Sequence, residues 1–167
     1  MALDPDGVVG RTVQAMARNP AFARIGPRVV PPIDRFLARA TGGRVLLGRA
    51  MLPCAVLTTT GRRSGEPRRA PVAAVPIDGD LHVVGSNFGR DAHPAWSWNL
   101  LADPHAEVTF EGRTFPVTAV LLDEDERRRI WPELLRRWPP FDTYAERSGR
   151  ELRVFRLVTD EGAAAGS

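Results

Sequence analysis

The chain has 167 residues, 43% of them hydrophobic and 26% charged, which is the composition of one compact globular domain. All 23 basic residues are arginine, set against 20 acids for a formal charge of +3, so lysine Schiff-base enzymes and Walker-type NTPases are excluded. Cys54 is the single cysteine and His82, His93 and His105 are the only histidines, which rules out an intramolecular disulfide and leaves no metal-finger spacing.

Residues 1–26 read as an N-terminal extension, helical or disordered, ahead of a single domain over residues 27–158. The acidic start lacks a signal peptide's pattern, and the longest uncharged stretch, residues 50–61, falls short of the ~20 apolar residues that span a bilayer. The expected address is the cytoplasm. Apolar residues three to four apart over 29–37 predict an amphipathic helix. With Arg28, Arg35 and Arg39 beside it, that helix suits either packing on the domain or peripheral contact with an anionic membrane surface.

From there the period changes to two. Short β-branched runs over 55–60, 70–77, 81–85, 106–110, 114–122 and 152–158 predict six strands. Cys54 falls at the head of the first run and reads as buried and inert. Asp78-Gly79 and Glu111-Gly112 carry hairpin signals, so an antiparallel sheet or small barrel is expected rather than a parallel sheet. Helices interrupt the strands at 94–101, at 123–138 and at 141–147. Asp123 and Glu126 form a capping box for the second, and Pro132 is expected to kink or divide it. The alanines, glycines and serine of 159–167 predict a disordered tail.

Four segments carry chemistry. Gly61 to Arg69 places Arg62, Arg63, Arg68 and Arg69 in one expected loop, where arginine forks match phosphate or carboxylate oxygens; a merely solvated hairpin has the same composition. Gly85-Ser86-Asn87 ends a strand with small residues that let a ligand approach the backbone, as would an empty turn. In Pro94-Ala95-Trp96-Ser97-Trp98-Asn99, Trp96 and Asn99 share a helix face that could meet a flat ligand or simply enter the core. Trp138, Phe141 and Tyr144, at intervals of three, could wall a substrate cavity or pack a helix on the sheet. No nucleophile motif is present, and redox chemistry would need a cofactor. No aromatic-interleaved basic stripe accompanies the arginines, so nucleic acid is not an expected partner.

Together, Val56-Leu57-Thr58-Thr59-Thr60-Gly61-Arg62-Arg63-Ser64-Gly65-Glu66-Pro67-Arg68, Gly85-Ser86-Asn87, Pro94-Ala95-Trp96-Ser97-Trp98-Asn99-Leu100 and the aromatic series to Tyr144 resemble the deazaflavin-dependent nitroreductases. The resemblance covers roughly residues 36–157. It implies an α+β, mainly antiparallel fold: a split β-barrel of the FMN-binding type, with an N-terminal helix and helices inserted between strands. It also implies coenzyme F420 as cofactor, an 8-hydroxy-5-deazaflavin with a phosphate and an oligoglutamate tail. By similarity Arg62, Arg63, Ser64, Gly65, Pro67 and Arg68 would hold the anionic part, Gly85, Ser86 and Asn87 would approach the ring, and Pro94, Trp96 and Asn99 would complete the cleft.

The implied reaction is hydride transfer to a small electrophilic acceptor, a quinone or a nitro or enone compound. Ser86 and Tyr144 are the candidate catalytic residues, and Trp138, Phe141 and Tyr144 the candidate substrate pocket; no metal is expected. The chain departs from relatives that reduce bulky nitroaromatics by having Trp138 and Phe141 where those carry tyrosines, and this favours a flat quinone. A deazaflavin-binding protein with little turnover and an FMN-dependent split-barrel reductase are the competing readings.

Overall fold

The computed structural model describes residues 54–159. The helix expected over 29–37, its membrane contact, the N-terminal extension and residues 160–167 lie outside the described residues.

Six strands form: β1 (Cys54–Thr60), β2 (Pro67–Ile77), β3 (Asp80–Val84), β4 (His105–Phe110), β5 (Arg113–Leu121) and β6 (Val154–Thr159). Every pairing is antiparallel, in the order β1-β2-β3-β6-β5-β4, and β4 returns to β1 to close a barrel. Closure pairs each of these six strands on both sides, so among the described residues the sheet has no open edge to recruit another chain. The two tight hairpins follow from sequence: Asp78-Gly79 and Glu111-Gly112 all have positive φ, the twist that two-residue loops between strands require.

Side chains alternate between two cores because the strand period is two. Ala55, Leu57, Val83, Val108, Phe155 and Leu157 point into the barrel. Val75, Val84 and Val154 point outward and are covered by Leu134, Trp138, Phe141 and Tyr144 from two helices.

Three helices lie among the strands. The first, α1 (Ala95–Ala102), starts after Pro94, whose extended backbone suits a helix entry, and ends where Asp103 and Pro104 follow. Then α2 (Glu124–Arg137) opens on the expected capping box: the Glu126 N–H donates to Asp123 Oδ1 at 2.8 Å, and the Asp123 N–H to Glu126 Oε2 at 3.1 Å. Finally α3 (Pro140–Ser148) closes on Gly149, whose φ of 61° is the left-handed stop that glycine provides at low cost.

Three expectations need correction. Of the two outcomes expected at Pro132, a kink or a division, division does not occur: α2 runs from Glu124 to Arg137 across it. The carbonyl that loses its donor belongs to Arg128, an exposed residue. Strand β6 starts at Val154 rather than 152 and runs to Thr159, one residue into the expected tail. Cys54 is half-buried rather than enclosed.

The strand registers gather everything of chemical interest at one end of the barrel. Thr60 faces Pro67, Val84 faces Val154, and Leu121 faces Phe155, so the β1–β2 loop, the segment after β3, α1 and residues 149–153 share that end.

Candidate functional site

The arginine segment is a short built loop. The Gly61 N–H donates to the Glu66 carbonyl at 2.8 Å, and the Gly65 N–H returns to the Gly61 carbonyl at 2.7 Å. Gly65 has a φ of 70°, and a Cβ on Gly61 would sit 2.7 Å from Ser64 Oγ, so both glycines are required by geometry. Because pairing runs as far as Thr60 and Pro67, the loop holds only Arg62 and Arg63; Arg68 and Arg69 belong to β2 rather than to one shared loop. Neighbouring strand residues face opposite ways, so Arg68 alone turns back, its Nη2 donating to Ser64 Oγ at 3.1 Å. Arg62, Arg63, Arg68 and Arg69 are all without an ion-pair partner among the described residues.

Buried Asn99 ties this loop to the body. Its Oδ1 accepts the Arg62 N–H at 3.1 Å, and its Nδ2 donates to Thr59 Oγ1 at 2.9 Å. The side chain expected to touch a cofactor thus spends both ends of its amide on the loop. Trp96, on the same helix face, is 8% exposed and meets Phe155 edge-on in the barrel core. The indole left at the surface is Trp98, 39% exposed, with the Arg153 guanidinium 3.9 Å above its ring and Arg62 at 5.7 Å.

After β3, Ser86 opens a single tight turn in which Asn87, Phe88 and Gly89 all have positive φ. Two consecutive non-glycine residues in that region cost of order 1–3 kcal/mol each, so surrounding contacts must hold them. Asn87 Nδ2 donates to the Ala92 carbonyl at 2.8 Å. Gly89 lies against the Tyr144 backbone, where a Cβ would approach to 3.2 Å.

The main restraint is Arg150. Its Nε donates to the Arg90 carbonyl at 3.1 Å, both terminal nitrogens reach the Gly85 carbonyl at 3.2 Å, and Nη2 reaches the Ser86 carbonyl at 3.1 Å. Nη1 also stands 3.0 Å from His93 Nδ1. Among the described residues Ser86 Oγ itself makes no hydrogen bond, which leaves that hydroxyl free for a ligand.

The aromatic series sits behind this turn. Trp138, Phe141 and Tyr144 are buried in the outer core, and Phe88 tilts against Tyr144 with ring centroids 6.4 Å apart. The three rings cover Val75, Val84 and Val154 on the outside of the barrel, and Tyr144 also buttresses the Ser86 segment through Phe88 and Gly89. Burial pushes the Tyr144 phenol above its ordinary value, against the opposing pull of Arg147 and Trp138, so it stays protonated at neutral pH.

Reasoning from sequence missed Arg150, Arg153 and the exposure of Trp98. Arg150 acts across 57 to 65 residues of chain, and no local pattern marks it.

Among the described residues no helix is long and apolar enough to cross a membrane. Residues 34–159 match the family described as F420H(2)-dependent quinone reductase. A Mycobacterium tuberculosis protein provisionally named an F420H(2)-dependent quinone reductase is 29% identical over 109 residues, 65% of this chain and 92% of its own length. A second from that species, named an F420H(2)-dependent quinone reductase, is 32% identical over 82 residues, 47% of this chain and 54% of its own. The solved structure of an F420-H2 dependent reductase, FDR-A, is 32% identical and has a TM-score of 0.58, covering 63% of this chain and 93% of that one.

Proposed function

The chain belongs to the F420H(2)-dependent quinone reductase family, and from that membership we propose that it passes a hydride from the reduced deazaflavin to a small quinone at the loop end of the barrel. The observation that carries this reading is the set of guanidinium groups on and beside one glycine-built loop, none ion-paired among the described residues. An excess of unneutralised positive charge fits a phosphate with a polycarboxylate tail.

When bound, F420H2 supplies the two-electron hydride donor. In this reading Arg62, Arg63, Ser64, Gly65, Pro67 and Arg68 hold the anionic portion, and Gly85, Ser86 and Asn87 lie along the ring system. Asn99, Trp96 and Pro94 serve that cleft by holding the loop and α1 in place. The free Ser86 hydroxyl polarises the acceptor. Tyr144, kept neutral by burial, can donate a hydrogen bond but does not act as a base. Trp138 and Phe141 keep water from the back of the Ser86 turn.

The test is fluorescence titration of F420 and of FMN at two salt concentrations, with Arg63→Ala and Arg68→Ala beside the wild type. Exposed charge pairs are worth up to about 1 kcal/mol, so each substitution should weaken F420 binding by up to about fivefold, and salt should weaken it further. Binding indifferent to both arginines, or a preference for FMN, would sink the cofactor assignment. F420H2 that stays reduced with menadione present would sink the oxidoreductase reading.

A further inference from the structure

A cavity of about 230 Å³ lies where β5 ends and β6 begins, beside the start of α2. Leu121, Leu122, Leu152 and Val154 supply its apolar lining, and His93 and Arg153 its polar groups. Arg127 and Glu151 also line it, paired with each other at 2.9 Å. We propose that this cavity receives one carbonyl of the acceptor quinone, with His93 Nε2–H and the Arg153 guanidinium as hydrogen-bond donors to that oxygen, which leaves the opposite carbonyl to the Ser86 hydroxyl. The assignment rests on the hydride-transfer reading and deepens it by naming where the acceptor sits.

The tautomer of His93 follows from its neighbour. A guanidinium carries donors only, so His93 Nδ1, 3.0 Å from Arg150 Nη1, must be the acceptor, and the ring proton is on Nε2. Arg150 cannot swing away without breaking its bonds to the carbonyls of Gly85, Ser86 and Arg90, so the imidazole is held as a neutral Nε2–H donor. Burial, then Arg150, then Arg153 hold its pKa below 6.5, which keeps it neutral at neutral pH. Nε2 makes no hydrogen bond within the described residues.

Arg153 is positioned as firmly. It stacks on Trp98 at 3.9 Å, and its Nη1 donates to Ser97 Oγ at 3.3 Å. Since Glu151 balances Arg127, Arg153 leaves the cavity with a net positive charge, which favours the oxyanion that develops as a quinone accepts a hydride.

The same Arg150 that fixes His93 also binds the Ser86 carbonyl, so the cavity and the Ser86 turn share one restraint. Its volume falls below the roughly 300–1,000 Å³ of drug-sized pockets, which suits one small flat ring system and leaves a prenyl tail outside. In the reaction F420H2 gives up a hydride and a proton to become F420, and the quinone gains both to become the quinol. Solvent carries the proton, and His93 ends unchanged.

The experiment joins side-chain ¹⁵N NMR of the histidines with kinetics on the whole protein. In cofactor-free protein His93 should show the Nε2–H tautomer, and menadione alone should shift its signals. His93→Phe should lower kcat/KM for menadione by roughly tenfold to a hundredfold, the loss of one or two hydrogen bonds to a developing charge, without changing F420 affinity. His93→Gln, whose amide can place an N–H near Nε2, should recover most of that loss. An Nδ1–H tautomer, menadione that leaves the His93 signals unmoved, or a His93→Phe enzyme with wild-type kcat/KM would overturn the assignment. If wild-type protein binds no F420, the hydride-transfer reading falls by itself, and the menadione titration still decides the cavity.

Discussion

Asn99→Ala separates a loop strut from a direct cofactor ligand. The side chain makes two hydrogen bonds, from the Arg62 N–H at 3.1 Å and to Thr59 Oγ1 at 2.9 Å. Arg62 is exposed, so water replaces its lost partner. Thr59 is 2% exposed and its hydroxyl has only the Arg68 carbonyl left, at 3.5 Å. One ordinary buried hydrogen bond at about 1 kcal/mol, plus a poorly satisfied hydroxyl at about 1–2 kcal/mol, gives a destabilisation of about 2–3 kcal/mol. The released loop should also bind F420 roughly tenfold more weakly, because its arginines must be re-ordered on binding. Urea denaturation reads the first effect and fluorescence titration the second. Thr59→Val removes the same bond from the other side, and the double variant should reveal a coupling of about 1 kcal/mol. An Asn99→Ala protein with unchanged urea midpoint and a large loss of F420 affinity would refute the strut, because it would mean that the amide touches the cofactor itself.

Three further outcomes follow from the same structure. Gly61→Ala would put a methyl 2.7 Å from Ser64 Oγ and 3.1 Å from the Glu66 carbonyl, and the Ser64 hydroxyl is already engaged by Arg68, so about 1–3 kcal/mol of stability and most F420 affinity should be lost together; a variant that binds normally would show the loop to be more pliable than its bonding implies. Ser86→Ala removes a hydroxyl that has no hydrogen bond among the described residues, so thermal stability should move by less than about 0.5 kcal/mol while quinone turnover falls; equal turnover would exclude Ser86 from the chemistry. His82 is buried, and burial, with Arg156 adding to it against Asp80, lowers its pKa below 6.5. The folded state therefore binds this proton less readily than the unfolded chain. Stability contributed by the neutral ring is present above pH 6.5 and is lost as pH falls from there toward the folded pKa. His82→Phe should flatten the dependence of the urea midpoint on mildly acidic pH, and a slope equal to wild type would assign the effect to another group.

Much of the fold was legible locally. The six strands stand within a few residues of their apolar runs, because alternation survives wherever a strand separates two environments. Both aspartate- or glutamate-glycine pairs are tight turns, since few residues tolerate their positive φ. Pro132 does not divide α2, because local chemistry registers the missing N–H but not the packing of Leu134 and Trp138 that holds the chain beyond it on the barrel. At the site, the arginine loop and the Ser86 turn could be read as strings. The exchange between Trp96 and Trp98 could not, because two residues along a helix turn the ring by about two hundred degrees and only the barrel decides which side is core.

The sequence by itself determined the repertoire: six alternating runs, glycine turns, an arginine-rich loop and the motifs that mark the family. Each depends on residues close together in the chain, whose backbone preferences and charge act locally. Only the tertiary structure decided that the strands close into a barrel, that Asn99 braces the loop, that the aromatic series packs behind the Ser86 turn, and that Arg150 fixes the face His93 presents. Those outcomes rest on contacts between residues 34 to 76 positions apart, and no local preference encodes which distant groups will share one end of a barrel.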